Sequence, residues 1–191
     1  EEIKAMAEEW DGEVPSAIPM LPNVVELSAF YQKKGVQAML HKLELPLALD
    51  KETTNVVGFI PKKHGYFLIA EDTVQQSESL TRTVLEGFKY LGDRVNKYIF
   101  NAGGRFTQYE KDYGELIDES EYVSFLTELS TEIDERQEHG WDIATFVYIP
   151  EAHLLNNHIL TALELFKKVL GQGARNGIYI IFQGVQRSIE S

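Results

Sequence analysis

Cysteine is absent from the 191-residue chain, and basic residues and long apolar runs are scarce. Without cysteine the chain can form no disulfide, no zinc–thiolate site and no thiol nucleophile. Lysine and arginine number 18 against 30 aspartates and glutamates, and the net charge of -12 has the wrong sign for a surface that neutralises nucleic-acid phosphates. No apolar run reaches the roughly 20 residues that a membrane-spanning helix needs, so we expect no direct membrane contact from this segment.

The beginning of the chain is typical of a lead-in to a folded domain. Residues 1–10 carry apolar side chains at helical spacing, three prolines then interrupt the pattern, and residues 23–42 have the periodicity of one short helix. A start in mid-helix without methionine indicates a fragment of a longer protein. We therefore predict a lead-in helix and interdomain linker over residues 1–44 and a folded domain over residues 45–191.

Strand-like runs alternate with helical patterns from residue 45 onward. Strands are predicted at residues 55–60, 66–70, 97–101, 143–149 and 177–182, and helices at 80–91, 119–138 and 155–170. Residues 112–121 are expected to form a solvated acidic loop that leads into a helix. The alternation predicts an α/β fold with helices flanking a mostly parallel sheet. The strand at 66–70 is wholly apolar, so we expect it to be buried on both faces.

The turn after that strand is where an α/β fold of this class places a phosphate-binding loop. Such a loop needs the pattern G-x-x-G-x-G-K-[ST], in which glycines allow close backbone approach, lysine binds phosphate and the hydroxyl binds magnesium. Here the glycine positions fall on Glu71, Val74 and Gln76, the lysine on Ser77 and the hydroxyl on Glu78. The degenerate phosphate-loop position comprises Glu71, Asp72, Thr73, Val74, Gln75, Gln76, Ser77 and Glu78.

The residues present at this turn disfavour polyphosphate. A carboxylate about 6 Å from a phosphate charge repels it by roughly 2–3 kcal/mol at an effective dielectric constant of ~20. Three carboxylates, those of Glu71, Asp72 and Glu78, stand where the pattern has one ammonium. A non-glycine residue forced into a left-handed conformation adds about 1–2 kcal/mol. We therefore expect no cofactor in the usual pose, and only weak binding of ATP with magnesium.

The end of the strand at 143–149 is the second place where chemistry is expected. A nucleotide-hydrolysing α/β domain carries an Asp-Glu pair there, the aspartate for magnesium and the glutamate for the attacking water. This chain has Pro150-Glu151, and proline binds no metal. Glu151 is a remnant of the acidic strand end, either a catalytic group or a cap of the next helix. His153 and His158 are five positions apart, which does not suit zinc ligands on one helical face, so no metal site is expected.

Several segments together resemble FtsK/SpoIIIE-type ATPase domains. The segment LPLALD, a following hairpin and LTRT resemble the opening of that family's domain, and FNAGGRF, ATFVYIPEAHLL and GQGARNGIYIIFQGVQRS resemble its later motifs. The glutamine of the last motif corresponds to Val185 or Gln186. The segment AIPMLPNVV resembles the proline-bearing linker of EssC- and EccC-type motors of type VII protein secretion, whose last ATPase domain is often degenerate at its nucleotide loop. The resemblance covers nearly all of residues 17–190.

The resemblance implies a RecA-like fold on the cytoplasmic side of a bacterial cell membrane. It implies neighbouring ATPase domains of the same chain and secreted WXG-type proteins as partners, and a hexamer of the full-length protein. Two functions remain open: a non-hydrolytic pseudo-ATPase domain that recognises substrates and regulates its neighbours, or an atypical ATP-binding domain with residual ATPase activity. In the atypical ATP-binding domain, Lys62, Lys63 or Arg82 would take the role of the phosphate-loop lysine, whose position is occupied by Ser77. The net charge argues against a third function, DNA translocation.

Overall fold

The computed structural model describes residues 25–71, 74–109, 111–155 and 161–185. The predicted helix over residues 1–10 lies outside them. The strands are β1 (Leu45–Leu49), β2 (Val56–Phe59), β3 (Tyr66–Glu71), β4 (Val95–Asn101), β5 (Glu115–Asp118), β6 (Ala144–Ile149) and β7 (Ile178–Val185). The α-helices are α1 (Leu27–Tyr31), α2 (Lys34–His41), α3 (Val74–Leu91), α4 (Tyr122–His139) and α5 (Leu163–Gln172).

Five of the strands form one parallel sheet in the order β3-β7-β6-β4-β5. Every neighbouring pair in this sheet is parallel, with Leu68 opposite Phe182 and Val147 opposite Ile180. Parallel strands need crossover connections, and α3, α4 and α5 lie in those connections. The predicted α/β fold with a mostly parallel sheet is therefore confirmed.

Two apolar cores lie on opposite faces of this sheet. All six residues of β6 are buried; Phe146 and Tyr148 point into the first core, and Val147 and Ile149 point into the second. Each of the two long helices buries one stripe of apolar side chains. The stripe of α3, which includes Val84 and Phe88, packs in the first core, and the stripe of α4, which includes Phe125 and Leu129, packs in the second. Full burial of one such side chain contributes about 1.5–3 kcal/mol, so the two stripes hold the helices on the sheet.

The prediction that β3 is buried on both faces is wrong. Ile69 is buried in the first core, but Tyr66 and Leu68, on the other face, are 58% and 45% exposed. β3 is an edge strand that pairs with β7 alone among the described strands. The helices of the second core, α4 and α5, pack over the strands further inside the sheet, so none of the helices that the structure describes covers the outer face of β3.

The two segments before β3 also differ from expectation. β2 pairs antiparallel with β1, so these two strands form the hairpin and β3 belongs to the other sheet. Gly58 permits this pairing, because a Cβ there would lie 2.1 Å from the Leu45 carbonyl oxygen. Residues 23–42, expected as one helix, contain α1 and α2, separated at Gln32 and Lys33.

The helices α1 and α2 pack against the parallel-sheet domain. Phe30, Tyr31 and Val36 are buried in the first core, and the Tyr31 hydroxyl donates a hydrogen bond to the Thr83 carbonyl oxygen at 2.6 Å. The domain boundary at residue 44 stays a prediction, but these contacts attach the preceding helices firmly to α3.

The acidic segment before α4 contains a strand that was not predicted. Glu115–Asp118 form β5, whose Leu116 and Ile117 pair with β4 at the sheet edge, so the expected solvated loop is wrong there. α4 begins close to its predicted start, after a capping box between Asp118 and Glu121. α5 begins at Leu163, later than predicted. Within the described residues, no helix is both long and apolar enough to cross a membrane.

Candidate functional site

The strands of the parallel sheet all end at one edge, which we call the carboxyl edge. The last residues there are Glu71 of β3, Asn101 of β4, Asp118 of β5, Ile149 of β6 and Val185 of β7. In sheets of this type, ligands bind in the crevice outside the carboxyl ends of the strands. The positions predicted for nucleotide binding therefore lie at the edge where a ligand is expected.

The connection from β3 to α3 differs from the predicted loop. Glu71 is the last residue of β3 and α3 begins at Val74, so only Asp72 and Thr73, which lie outside the described residues, stand between them. The prediction of a turn from Glu71 to Glu78 is wrong, because Val74–Glu78 form the first turns of a helix. This segment contains no glycine or proline, the residues that most disfavour a helix interior, so nothing in it delays the helix start.

Polar side chains form a buried hydrogen-bonded network beneath the first turns of α3. Gln183 of β7 is fully buried, and its Nε2 donates to the Ser77 carbonyl oxygen and to Thr81 Oγ1, each at 2.9 Å. Its Oε1 accepts a hydrogen bond from the Tyr148 hydroxyl of β6. The Tyr148 hydroxyl also lies 3.3 Å from Thr81 Oγ1. The network joins α3 to the two central strands at the carboxyl edge.

Gln183 was missed by reasoning from the sequence. It stands inside the apolar run IYIIFQGV, and a single polar residue in a buried strand is the one signal that could have identified it. Val185, one of the two positions proposed for the family's glutamine, ends β7, and Gln186 lies outside the described residues. The buried amide therefore comes from a residue that neither alternative named.

Glu151 follows β6 at the carboxyl edge and forms an ion pair. Its Oε1 accepts a hydrogen bond from Arg105 Nη1 at 2.8 Å, and the two side chains are 21% and 39% exposed, respectively. Arg105 belongs to the connection after β4, so the pair links the ends of β4 and β6. The buried Pro150 stands where a magnesium-binding aspartate would precede Glu151. The sequence predicted either a catalytic or a capping role for Glu151, and it did not predict the ion pair with Arg105.

The ends of β4 and β5 carry a second polar cluster. Asn101, which is buried, accepts a hydrogen bond from the Phe106 amide at 2.8 Å and donates one to Asp118 Oδ1 at 2.7 Å. The Gly103 amide donates to Glu119 Oε1 at 2.8 Å. Gly103 has a φ of 61°, a left-handed conformation that glycine adopts without strain and that lets the chain turn tightly after β4.

Several carboxylates lie near the Tyr122 hydroxyl at the carboxyl edge. Burial, followed by the carboxylates of Glu119, Asp118 and Glu151, raises the pKa of the Tyr122 hydroxyl well above its usual range. The same carboxylates disfavour an anionic ligand at this part of the edge. On α3, by contrast, the cationic side chain of Arg82 is exposed.

Two pockets meet at the start of α3, and Glu78 and Arg82 line both of them. The smaller, of about 180 Å³, lies between α3 and the connection after β4 and includes Arg105. The larger, of about 520 Å³, lies between α1, β1 and α3 and is lined largely by apolar side chains such as Phe30 and Leu47. The start of α3 therefore borders a small polar pocket and a larger apolar one.

Metal ligands are not clustered in the part of the chain that the structure describes. No group of three or more histidine, aspartate or glutamate side chains is placed there to hold an ion. His158 lies outside that part.

No family model matches the chain. The type VII secretion system protein EssC of Staphylococcus aureus (strain MSSA476) is 22% identical to it over 203 residues, a region that covers 99% of this chain and 13% of that protein. The chain is therefore similar to EssC over nearly its whole length. It spans only about an eighth of the length of these EssC relatives.

Solved structures of EssC-type proteins share the fold. The cytoplasmic domain of EssC matches with a TM-score of 0.66 at 15% identity, over 100% of this chain and 39% of that one. EssC ATPases 2 and 3 from Geobacillus thermodenitrificans match with a TM-score of 0.69 at 13% identity, over 100% and 37%. Thermomonospora curvata EccC ATPases 2 and 3, in complex with a signal sequence peptide, match with a TM-score of 0.64 at 15% identity. That match covers 96% of this chain and 35% of the EccC chain. The predicted RecA-like fold and the resemblance to EssC are confirmed.

Proposed function

We propose that this EssC-related chain is a non-hydrolytic, ATPase-like domain of a type VII secretion motor. In this role it recognises secreted substrates and regulates neighbouring ATPase domains of the same protein, on the cytoplasmic side of the membrane. The observation that carries the proposal is the start of α3 at Val74, which leaves Asp72 and Thr73 alone between β3 and the helix. A phosphate-binding loop needs several residues with free amides at that place.

The neighbouring groups support the same function. The Gln183 side-chain amide donates hydrogen bonds to the Ser77 carbonyl oxygen and to Thr81 Oγ1, and these bonds fix the start of α3 to β7. Glu151 is held by Arg105 and is preceded by Pro150, so the pair that would organise magnesium and water is incomplete. We therefore assign no catalytic residue and no resident cofactor.

The apolar pocket between α1, β1 and α3 supports the recognition role. Its volume of about 520 Å³ suits a few apolar side chains of a peptide, and Arg82 and Glu78 at its rim can bind polar groups. The Thermomonospora curvata EccC structure holds a signal sequence peptide, which fits a peptide as the ligand class here. Secreted WXG-type proteins are the proposed substrates, and a hexamer is the proposed assembly of the full-length motor.

A second function, an atypical ATP-binding domain with residual activity, has one observation in its favour. Arg82 is exposed, lines the smaller pocket with Arg105 and forms no ion pair with a described residue. Lys62 and Lys63 are poorer substitutes, because they precede β3. The six residues of that strand place them about 20 Å from the carboxyl edge.

Phosphate release from MgATP tests the absence of hydrolysis. The chain and its Glu151→Gln variant are expected to release phosphate at the same rate as buffer. Release by the unmodified chain that falls by tenfold or more in Glu151→Gln would overturn the proposal, because it would show a working glutamate.

Capture of a secreted WXG-type protein by the motor tests the recognition role. The full motor is expected to retain the substrate, and a Leu27→Glu, Leu49→Glu variant, which changes two partly buried residues that line the apolar pocket, is expected to lose it. An exposed Val57→Glu variant controls for added charge, since Val57 lies on β2 and is 45% exposed. Equal retention by all three proteins would contradict the assigned pocket.

A further inference from the structure

A shallow concavity lies at the amino edge of the sheet, opposite the carboxyl edge. It is formed by the last turn of α4 and the loop that enters β6, and its volume is about 510 Å³. Trp141 and Ile143 line it and are 41% and 46% exposed. None of the nucleotide-related positions lies there, and we call it the Trp141 concavity, defined by Glu135, His139, Trp141, Asp142 and Ile143.

Trp141 is held in a fixed position, although it is exposed. Its ring rests against the backbone of Gly177, where a Cβ would lie 2.6 Å from the ring carbons. The Arg136 guanidinium lies 5.9 Å from the ring centroid. Arg136 itself is immobilised by hydrogen bonds to Thr145 Oγ1 at 2.7 Å, the Asn176 carbonyl oxygen at 3.0 Å and Glu132. A rigid, exposed tryptophan loses little conformational entropy on binding, which is typical of residues that dominate interfaces.

The charged side chains around the concavity indicate which charge a bound ligand would carry. Glu132 is neutralised by Arg136, with which it forms an ion pair at 2.5 Å. Glu135 and Asp142, both exposed, form no ion pair with any residue that the structure describes. The rim therefore carries two uncompensated carboxylates beside an aromatic ring, and both attract a cation.

We propose that the Trp141 concavity docks a positively charged protein segment that carries apolar side chains. Trp141 and Ile143 would bury the apolar side chains, and Glu135 and Asp142 would bind lysine or arginine. The inference rests on the amino edge alone, so it holds whether or not the carboxyl edge binds nucleotide.

Tryptophan fluorescence measures this docking directly. The chain has two tryptophans, so a Trp10→Phe variant leaves Trp141 as the one reporter. The probe is a synthetic peptide of alternating lysine and leucine, and its control is a peptide of alternating glutamate and leucine. The lysine peptide is expected to change the emission saturably, with binding that weakens as salt rises because exposed charges are screened. The glutamate peptide is expected to give no saturable change.

Charge reversal at the rim assigns the site. In the same reporter background, Glu135→Lys and Asp142→Lys are each expected to weaken binding at least fivefold. Glu128→Lys makes the same charge change at an exposed position two turns earlier on α4 and is expected to change it less than twofold. The proposal fails if the lysine peptide does not bind, if the glutamate peptide binds equally well, or if all three variants bind alike. Circular dichroism of each variant establishes that it is folded before titration.

Discussion

Gln183 is the residue that most directly fixes the geometry of the carboxyl edge. Its amide lies between β7 and α3 and satisfies the Ser77 carbonyl oxygen, Thr81 Oγ1 and the Tyr148 hydroxyl at once. A buried polar group that loses its partner costs about 1–3 kcal/mol, whereas a satisfied one stabilises modestly. The contribution of Gln183 is therefore positional: it ties the start of α3 to the sheet.

Replacing Gln183 with an apolar residue of similar size tests this role. Gln183→Met is expected to lower the free energy of unfolding by about 1–3 kcal/mol, because it leaves several buried polar atoms without their partner. Gln172→Met makes the same replacement at the exposed end of α5 and is expected to change it by less than about 0.5 kcal/mol. Urea denaturation followed by circular dichroism gives both values. Equal stability of the two variants would show that the network does not hold α3.

At the scale of the element, β3 combines a buried face and an open face. Ile69 is 7% exposed in the first core, whereas its neighbour Leu68 is 45% exposed on the other side. The wholly apolar sequence of this strand suggested burial on both faces. The strand instead lies at the sheet edge, a position that depends on residues far away in sequence, and there only one of its faces is buried.

The two faces of β3 predict opposite responses to truncation. Ile69→Ala is expected to reduce the free energy of unfolding by about 2–4 kcal/mol, because it leaves a cavity in the first core. Leu68→Ala is expected to cost less than about 1 kcal/mol, since that side chain loses little buried area. Thermal and urea unfolding of the pair provide the measurement. A larger effect at Leu68 would mean that another element covers the open face.

The sequence predicted elements well where a single stripe or run determines them. The apolar stripe of α4 and the run of β6 depend on local spacing, and both were found close to their predicted bounds. The pairing of β2 with β1 and the strand β5 depend on which segments meet in space, and both were missed. At the site, Glu71 and Glu151 were placed at the correct edge by strand order. Arg105 and Gln183 were not identified, because their partners lie 46 and 106 residues away.

At the scale of the whole molecule, the chain shares its fold with EssC-type structures. The five-stranded parallel sheet and its two cores match EssC-type structures over the full length of this chain. The described members of those cores lie outside the connection between β3 and α3. The fold is therefore compatible with the proposed loss of hydrolysis.

Binding of MgATP, read from backbone amide shifts in nuclear magnetic resonance spectra, tests the central claim most directly. Because α3 begins at Val74, the amides of Ser77, Ser79 and Thr81 are expected to show no saturable shift at millimolar MgATP, and the melting temperature is expected to stay unchanged. A ligand present at 100 times its Kd would stabilise the fold by about 2.7 kcal/mol, which such a melt would detect. Saturable shifts of these amides with a micromolar Kd would contradict the account.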